Sequence, residues 1–170
     1  LIENSSIINN TGIPINASEH SVFEINNTII WGHNNPVRFV NATASVILKN
    51  SIYNGGSGFY DASGASSFTF DVDNSNIFNI PQFVDSANGD YTLVPGSPGV
   101  DAGNPDLNGN GIPWQNDPED QDPDGTRMDM GYGYAAQGPV VNFSSPIISS
   151  SSNDLTYAWS TGETTASINP

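Results

Sequence analysis

Four short stretches of the sequence resemble one another and recur at a nearly constant interval. They read "ENSSIINN", "INNTIIWG", "LKNSIYNG" and "DNSNIFN". When Ile7, Ile29, Ile52 and Ile77 are taken as equivalent, the intervals are 22, 23 and 25 residues. A repeat of this length, without helical periodicity, predicts a solenoid of β coils in which each coil packs only on its neighbours.

The composition favours an all-β chain over a helical one. The 17 Gly and 12 Pro residues are spread throughout. The apolar runs are short, rich in β-branched residues and bounded by Asn, Gly or Ser, which is typical of strands. We therefore predict two or three short strands in each coil.

Two asparagines stand at equivalent positions of successive repeats. Asn27 and Asn50 each come shortly before the repeated isoleucine. Asn tolerates left-handed backbone angles, so both are predicted to occupy the same sharp corner of the coil. Stacked asparagines could also share hydrogen bonds between their amides. The alternative is that Asn and Ser are simply frequent in this chain.

The charge of the chain excludes several classes of partner. Lys and Arg total 3, whereas Asp and Glu total 18, which gives a formal net charge of −15. Nucleic acid and anionic lipid require a basic surface, so neither is an expected partner. The chain has no cysteine and no run of 18 apolar residues, so neither a disulfide nor a membrane-spanning helix is expected. Divalent cations and neutral polymers such as sugars remain as expected classes of partner.

The first half of the chain resembles right-handed parallel β-helix proteins, whose coils carry phrases like "NSIIWGN". The stretch "NIFNIPQFVDSANGDYTLVPGSPGVDAGNPD" resembles the closing segment of secreted Bacteroidota β-helix proteins of the choice-of-anchor Q kind, and "DPDGTRMDMGYGY" resembles their ending. Ile80 and Tyr134 stand where that family usually has acids, so no role of those acids is carried over. The matching residues are Phe83, Val84, Asp85, Gly89, Asp90, Tyr91, Leu93, Gly96, Ser97, Pro98, Asp101 and Gly103.

This resemblance covers residues 1–136. It implies the C-terminal part of a right-handed parallel β-helix protein that is exported by a Bacteroidota route, type IX secretion, and is anchored at or released from the cell surface. The expected localisation is therefore extracellular.

Three regions follow from these patterns. Residues 1–100 are predicted to form β-helix coils, residues 101–136 an acidic, loop-rich C-terminal cap, and residues 137–170 a Ser/Thr-rich tail. In the tail, "LTYAWSTGETTASI" resembles the central strands of immunoglobulin-like modules, with Trp159 as core tryptophan. The tail is too short for a sandwich of roughly 100 residues. We expect Trp159 to be buried only if a partner strand comes from elsewhere.

The acidic region crowds seven carboxylates and one arginine between Asp106 and Met130. Within it "DLNGNG" and "DQDPDG" both fit Asp-x-Asx-x-Asx-Gly, the pattern of a calcium loop. The alternative is an acidic linker of ordinary turns that needs no ion. The predicted ligands are Asp106, Asn108, Asn110, the carbonyl of Ile112 and Asp117 in the first loop, and Asp120, Asp122, Asp124, the carbonyl of Thr126 and Asp129 in the second.

Catalytic patterns are weak. A β-helix lyase needs a base, and no catalytic phrase surrounds the three basic residues. Asp71 and Asp73 alternate on a predicted strand, so they are either a glycosidase pair or solubilising acids. His20 and His33 are predicted loop residues. We therefore assign no catalytic residue.

Two further features concern glycans. Trp31 and Tyr53 fall near equivalent positions of successive coils, so their rings either form a platform on which sugars stack or stack inside the coil. "DSA" resembles the acceptor of Bacteroidota O-glycosylation, which would place a glycan on Ser86.

Together these features predict a non-catalytic structural or binding segment of a secreted β-helix protein, used for adhesion or glycan contact. Two alternatives stay open. The chain could be the C-terminal part of a polysaccharide lyase or glycoside hydrolase whose active site lies in upstream coils. It could also be an extracellular fibre subunit whose C-terminal strands complete a neighbour's sheet.

Overall fold

The computed structural model describes residues 1–40, 43–54, 60–64 and 67–137, without side chains for residues 62–64. The chain divides into two compact units, Leu1–Pro139 and Val140–Pro170. Residues 138–170 lie outside the described part. The predictions for the tail, its immunoglobulin-like strands and Trp159 therefore fall outside it too.

Within the described residues the chain forms short strands and single-turn 3-10 helices. The 3-10 helices are Ser86–Asn88, Trp114–Asn116 and Pro118–Asp120. The strands are β1 (Ile2–Glu3), β2 (Ser6–Ile8), β3 (Ile15–Ser18), β4 (Val22–Asn26), β5 (Ile29–Trp31), β6 (Val37–Val40), β7 (Ala44–Lys49), β8 (Ile52–Tyr53), β9 (Tyr60–Gly64), β10 (Phe68–Val72), β11 (Phe83–Asp85) and β12 (Asp90–Leu93).

Strands three apart along the chain pair in parallel and make three sheets. Their orders are β1-β4-β7-β10, β2-β5-β8 and β3-β6-β9. Only β11 and β12, among the described strands, pair antiparallel. The predicted all-β class is confirmed. No helix in this part of the chain is long and apolar enough to cross a membrane.

The register of the sheets follows the repeat with one correction. Ile29 pairs with Ile52, and Ile52 bridges to Ile77, as predicted. The equivalence of Ile7 and Ile29 is wrong, because Ser6 pairs with Ile29 and Ile7 pairs with Ile30. A shift of one residue moves a side chain to the opposite face of a strand. The doubled isoleucines of the first two repeats concealed this difference.

The predicted asparagine corner is confirmed and includes one more member. Asn4, Asn27 and Asn50 have φ angles of 47°, 54° and 45°, the left-handed region that Asn tolerates better than most residues. The amide of Asn27 donates to Oδ1 of Asn4 at 2.7 Å. The amide of Asn50 instead donates to Oδ1 of Asn26 at 3.1 Å, so the amide bonding between coils is staggered.

Two apolar clusters lie on opposite faces of the β2-β5-β8 sheet. Residues from all three parallel sheets form the inner cluster. They include Ile30 from the β2-β5-β8 sheet, Leu48 from the β1-β4-β7-β10 sheet and Phe39 from the β3-β6-β9 sheet. Ile29 and Ile52 point to the other face and form the outer cluster with later residues of the chain. Both isoleucines are fully buried, so the outer face of this sheet is covered as well.

The cover is the C-terminal segment (residues 81–137). Leu93 and Met130 pack on the outer isoleucines, and the N–H of Tyr132 donates to Oγ of Ser6 at 2.9 Å. The predicted loop-rich cap therefore lies along the outer face of the β2-β5-β8 sheet. It spans from Ser6 on the first strand to the position of Ile52 on the last.

Asn27 joins the C-terminal segment to the strands. It is fully buried, and its amide donates to the carbonyl of Asp129 at 2.9 Å. Its Oδ1 accepts the N–H of Asn104 at 3.0 Å, and its backbone carbonyl accepts the N–H of Gly131 at 2.8 Å. One corner residue thus binds three separate points of the C-terminal segment.

Candidate metal centre

The first loop (residues 106–117) is held by hydrogen bonds from backbone N–H groups to side-chain oxygens. The Asp106 carboxylate accepts the N–H of Gly111 at 3.1 Å. Oδ1 of Asn108 accepts the N–H of Asn110 at 3.0 Å, and Oδ1 of Asn110 accepts the N–H of Ile112 at 2.7 Å. Gly111 has a φ of 76°, which suits glycine at this turn. The oxygens at positions one, three and five thus curl around a single turn.

Asp117 closes the first loop. It is 5% exposed, and its Oδ2 accepts the amides of Asn110 at 2.6 Å and Asn108 at 3.1 Å. Hydrogen bonds from Asn110, the backbone of Glu119 and Asn108 lower the pKa of Asp117. The structure therefore brings together Asn108, Asn110 and Asp117, which stand at positions three, five and twelve of the loop. Asp117 is the ionised carboxylate to which the other two donate. The side chain of Ile112 is 45% exposed.

The second loop (residues 120–129) has a different arrangement. Oδ1 of Asp124 accepts the N–H and the hydroxyl of Thr126, at 3.1 and 2.7 Å, and the Thr126 carbonyl accepts the N–H of Asp122. Both oxygens of Asp129 accept backbone N–H groups, from Asp101 at 2.8 Å and from Ala135 at 2.6 Å. The predicted ligands of this loop therefore take part in several turns, and the carboxylates of Asp122 and Asp129 lie close enough to affect each other's pKa.

Asp, Glu and His side chains do not by themselves form a metal-holding group of three or more in the described residues. The ligand set predicted for the first loop is of another kind. It has the carboxylates of Asp106 and Asp117, two asparagine oxygens and one carbonyl, which is an all-oxygen set of the type that Ca²⁺ accepts.

Two acids of the second loop have raised pKa values. Partial burial, together with repulsion from Asp129, raises the pKa of Asp122 to about 7. Burial also raises the pKa of Asp129. Arg127 lies nearby, and its guanidinium donates to the carbonyls of Ala102 and Gly103. These groups attach the second loop to residues 101–103.

We expect the calcium-free protein to lose stability as the pH rises from about 4 to 7. An unfolded Asp releases its proton near 3.9, whereas folded Asp122 keeps its proton up to about 7. Between these values the folded state binds more protons, so raising the pH favours unfolding. Urea unfolding in chelator across this interval measures the slope. Asp122→Asn should flatten it and exposed Asp71→Asn should not; equal slopes in all three proteins would contradict the assignment.

The predicted sugar platform is wrong for Tyr53. This ring is 6% exposed and packs edge-on against Phe78, with centroids 4.8 Å apart. The alternative, stacking inside the coil, holds for Tyr53. Trp31 lies on the other face of its sheet, partly buried beside the outer cluster. Trp31 and Tyr53 therefore do not form a ladder along one surface.

The remaining predicted residues lie in turns. Ser86 is exposed in the turn between β11 and β12. Asp73 accepts the N–H of Ser75 at 2.9 Å, so it stabilises a turn after β10, whereas Asp71 is exposed within that strand. His33 lies in a turn, as predicted, but is only 4% exposed. Its Nε2 lies 3.0 Å from the carbonyl oxygen of Ile7 in the preceding coil.

Sequence reasoning missed a groove on the outer face of the first sheet. This cavity has a volume of about 370 Å³, and its polar lining includes Glu24, Asn26, Lys49, Asn50 and Asn104. Four of these lie at or just after strands β4 and β7, and the fifth belongs to the C-terminal segment. The period-two alternation of the strands could have indicated Glu24, Asn26 and Lys49. Asn50 directly follows Lys49 at the corner, and nothing local indicated Asn104.

Comparisons with known proteins add no identification. No protein-family model matches the sequence, and neither the curated proteins nor the solved structures include a significant match.

Proposed function

We propose that this chain is a segment of a right-handed parallel β-helix that serves as a rigid, non-catalytic shaft outside the cell. The observation that carries the proposal is the pairing of each strand with the strand three later, in three parallel sheets. A chain that passes through the same three sheets in each repeat gains one coil per repeat. The resemblance of residues 1–136 to secreted β-helix proteins supports the same fold, and supports export by type IX secretion to the cell surface.

The role of the shaft is adhesion or glycan contact. The polar groove beside β4 and β7 supports this role, because its volume of about 370 Å³ lies within the roughly 300–1,000 Å³ of small-ligand sites. Its amides and one lysine can donate hydrogen bonds to sugar hydroxyls.

Calcium is the proposed cofactor of the C-terminal segment. The first loop supports this through the turn that curls Asp106, Asn108 and Asn110 around one side and through Asp117 on the other. An ion there would fix the segment that covers the β2-β5-β8 sheet, and so would stabilise the shaft without taking part in chemistry.

We expect the groove to bind a neutral polysaccharide and Lys49→Ala to weaken that binding about tenfold, roughly 1.4 kcal/mol. Lys49 is exposed at the end of β7 and lines the groove. Affinity electrophoresis in gels containing a panel of neutral polysaccharides measures the effect. Arg38→Ala is the matched control, because Arg38 is an exposed cation on a different sheet, in β6. Absence of retardation on every polysaccharide, or equal losses in both variants, would contradict the glycan role.

A further inference from the structure

Asp120 is the most deeply buried acid in the C-terminal segment. Its side chain is 0% exposed, and Oδ1 accepts the N–H of Leu107 at 2.7 Å. Its own N–H donates to the carbonyl of Asp117 at 3.1 Å. Asp120 therefore contacts the second and the twelfth residue of the first loop, and lies where the two ends of that loop meet.

The other oxygen of Asp120 has no hydrogen-bond partner among the described residues, although it is buried. An ionised carboxylate oxygen that is removed from water without a partner is strongly destabilising. Buried Asp129 differs in this respect, because both of its oxygens accept backbone N–H groups. The unpartnered oxygen of Asp120 is thus free to accept a ligand that the loop itself does not provide.

We infer that Asp120 is a further ligand of a divalent cation held by the first loop. The inference rests on the proposed calcium function and assigns Asp120 to the first loop, although it lies outside the twelve-residue pattern. Ca²⁺ takes six to eight oxygens and usually receives two of them from a glutamate at position twelve. Asp117 is shorter than glutamate, and Asp120 supplies the oxygen that the shorter side chain does not.

Charge favours the same assignment. Asp106, Asp117 and Asp120 would each supply a carboxylate to one divalent cation. Their side chains do not converge in the ion-free structure, so the ion would draw them together. Glu119, which accepts from Asn108, is a fourth carboxylate beside the loop. Asn108 and Asn110 now direct N–H donors at Asp117, and a cation would take over the neutralisation that these amides provide. The ligand class is a hard divalent cation, with Ca²⁺ preferred because the set is flexible and entirely oxygen.

The test is Asp120→Asn in the full chain. Asparagine retains an acceptor for the N–H of Leu107 and removes the unpartnered charge. We expect the melting temperature in chelator to be equal to or higher than that of the wild type, and the calcium affinity measured by calorimetry to fall at least tenfold. A purely structural role predicts the opposite, a lower melting temperature in chelator with unchanged calcium affinity, and that result would overturn the inference.

Two further variants separate this inference from the proposed calcium loop. Asp106→Asn should lose calcium binding, and Asp71→Asn, which changes an exposed acid of β10 away from both loops, should keep it. If the wild type binds no calcium, the proposed loop fails and Asp120 fails with it. If Asp106→Asn loses binding while Asp120→Asn keeps it within twofold, only the role of Asp120 is overturned.

Terbium luminescence tests directly whether Asp120 coordinates the ion. Terbium(III) takes the same oxygen ligands as Ca²⁺, and its luminescence lifetimes in H₂O and D₂O report how many waters it holds. Loss of one protein oxygen should give Asp120→Asn an additional coordinated water. An unchanged water count in a variant that still binds terbium would exclude Asp120 from the coordination shell.

Discussion

Replacing Gly103 by alanine is expected to destabilise the folded chain by about 3 kcal/mol, the upper end of the usual overpacking cost. A methyl group at this position would overlap Oδ1 of Asn27 and the carbonyl oxygen of Met128. Neither can move freely, because Asn27 is fully buried and the Met128 oxygen accepts the N–H of Gly103. The C-terminal segment would have to move away from the asparagine corner.

Thermal unfolding followed by circular dichroism measures this effect, and we expect a decrease of roughly 10 °C in the melting temperature. Gly12→Ala is the matched control, since a methyl group there meets nothing within 4 Å. It should change the stability by no more than about 0.5 kcal/mol. A Gly103→Ala protein that melts with the wild type would show that the C-terminal segment is not packed against Asn27.

Removal of calcium is expected to lower the stability by about 4 kcal/mol, relative to a calcium concentration a thousandfold above the dissociation constant. The ion would bind the folded first loop and not the unfolded chain, so its binding free energy adds to the free energy of unfolding. Scanning calorimetry in millimolar calcium and in chelator measures the difference. Mg²⁺ should give a smaller shift, because it requires a tighter octahedral geometry than a loop of mixed oxygens provides.

Asp106→Asn supplies the control for a non-specific salt effect. It removes the charge at position one of the first loop and should abolish most of the calcium-dependent shift. Equal melting temperatures in calcium and chelator, together with no heat of binding at millimolar calcium, would sink the calcium proposal. The segment would then be an acidic loop held by hydrogen bonds alone.

The all-β class and most of the register could be predicted from the sequence, because both follow from short patterns that recur in each repeat. The recurring Asn27 and Asn50 located the corner, and the isoleucines that follow them located the β2-β5-β8 sheet. The error at Ile7 arose because two consecutive isoleucines satisfy either register. Only the left-handed corner at Asn4 decides between them.

The remainder depended on contacts between distant residues. The fully buried state of Ile52 on its outer face follows from Leu93 and Met130 packing on it. A loop-rich segment has no hydrophobic periodicity from which its packing on a sheet could be predicted. The first six residues of the second loop fit the calcium pattern as those of the first do, but the bonds that Asp101 and Ala135 donate to Asp129 could not be predicted from that pattern.

The way Asn27 holds the C-terminal segment has a consequence for the order in which the chain can fold. Its amide reaches a carbonyl 102 residues later, so this contact is far from local and forms late. Until the C-terminal segment has been synthesised, Ile29 and Ile52 lack the residues that cover them, such as Leu93 and Met130. We expect truncated chains to present an apolar stripe and to associate through it. Synthesis of the C-terminal segment, and not the formation of the first coils, is then the step that protects the apolar stripe from aggregation.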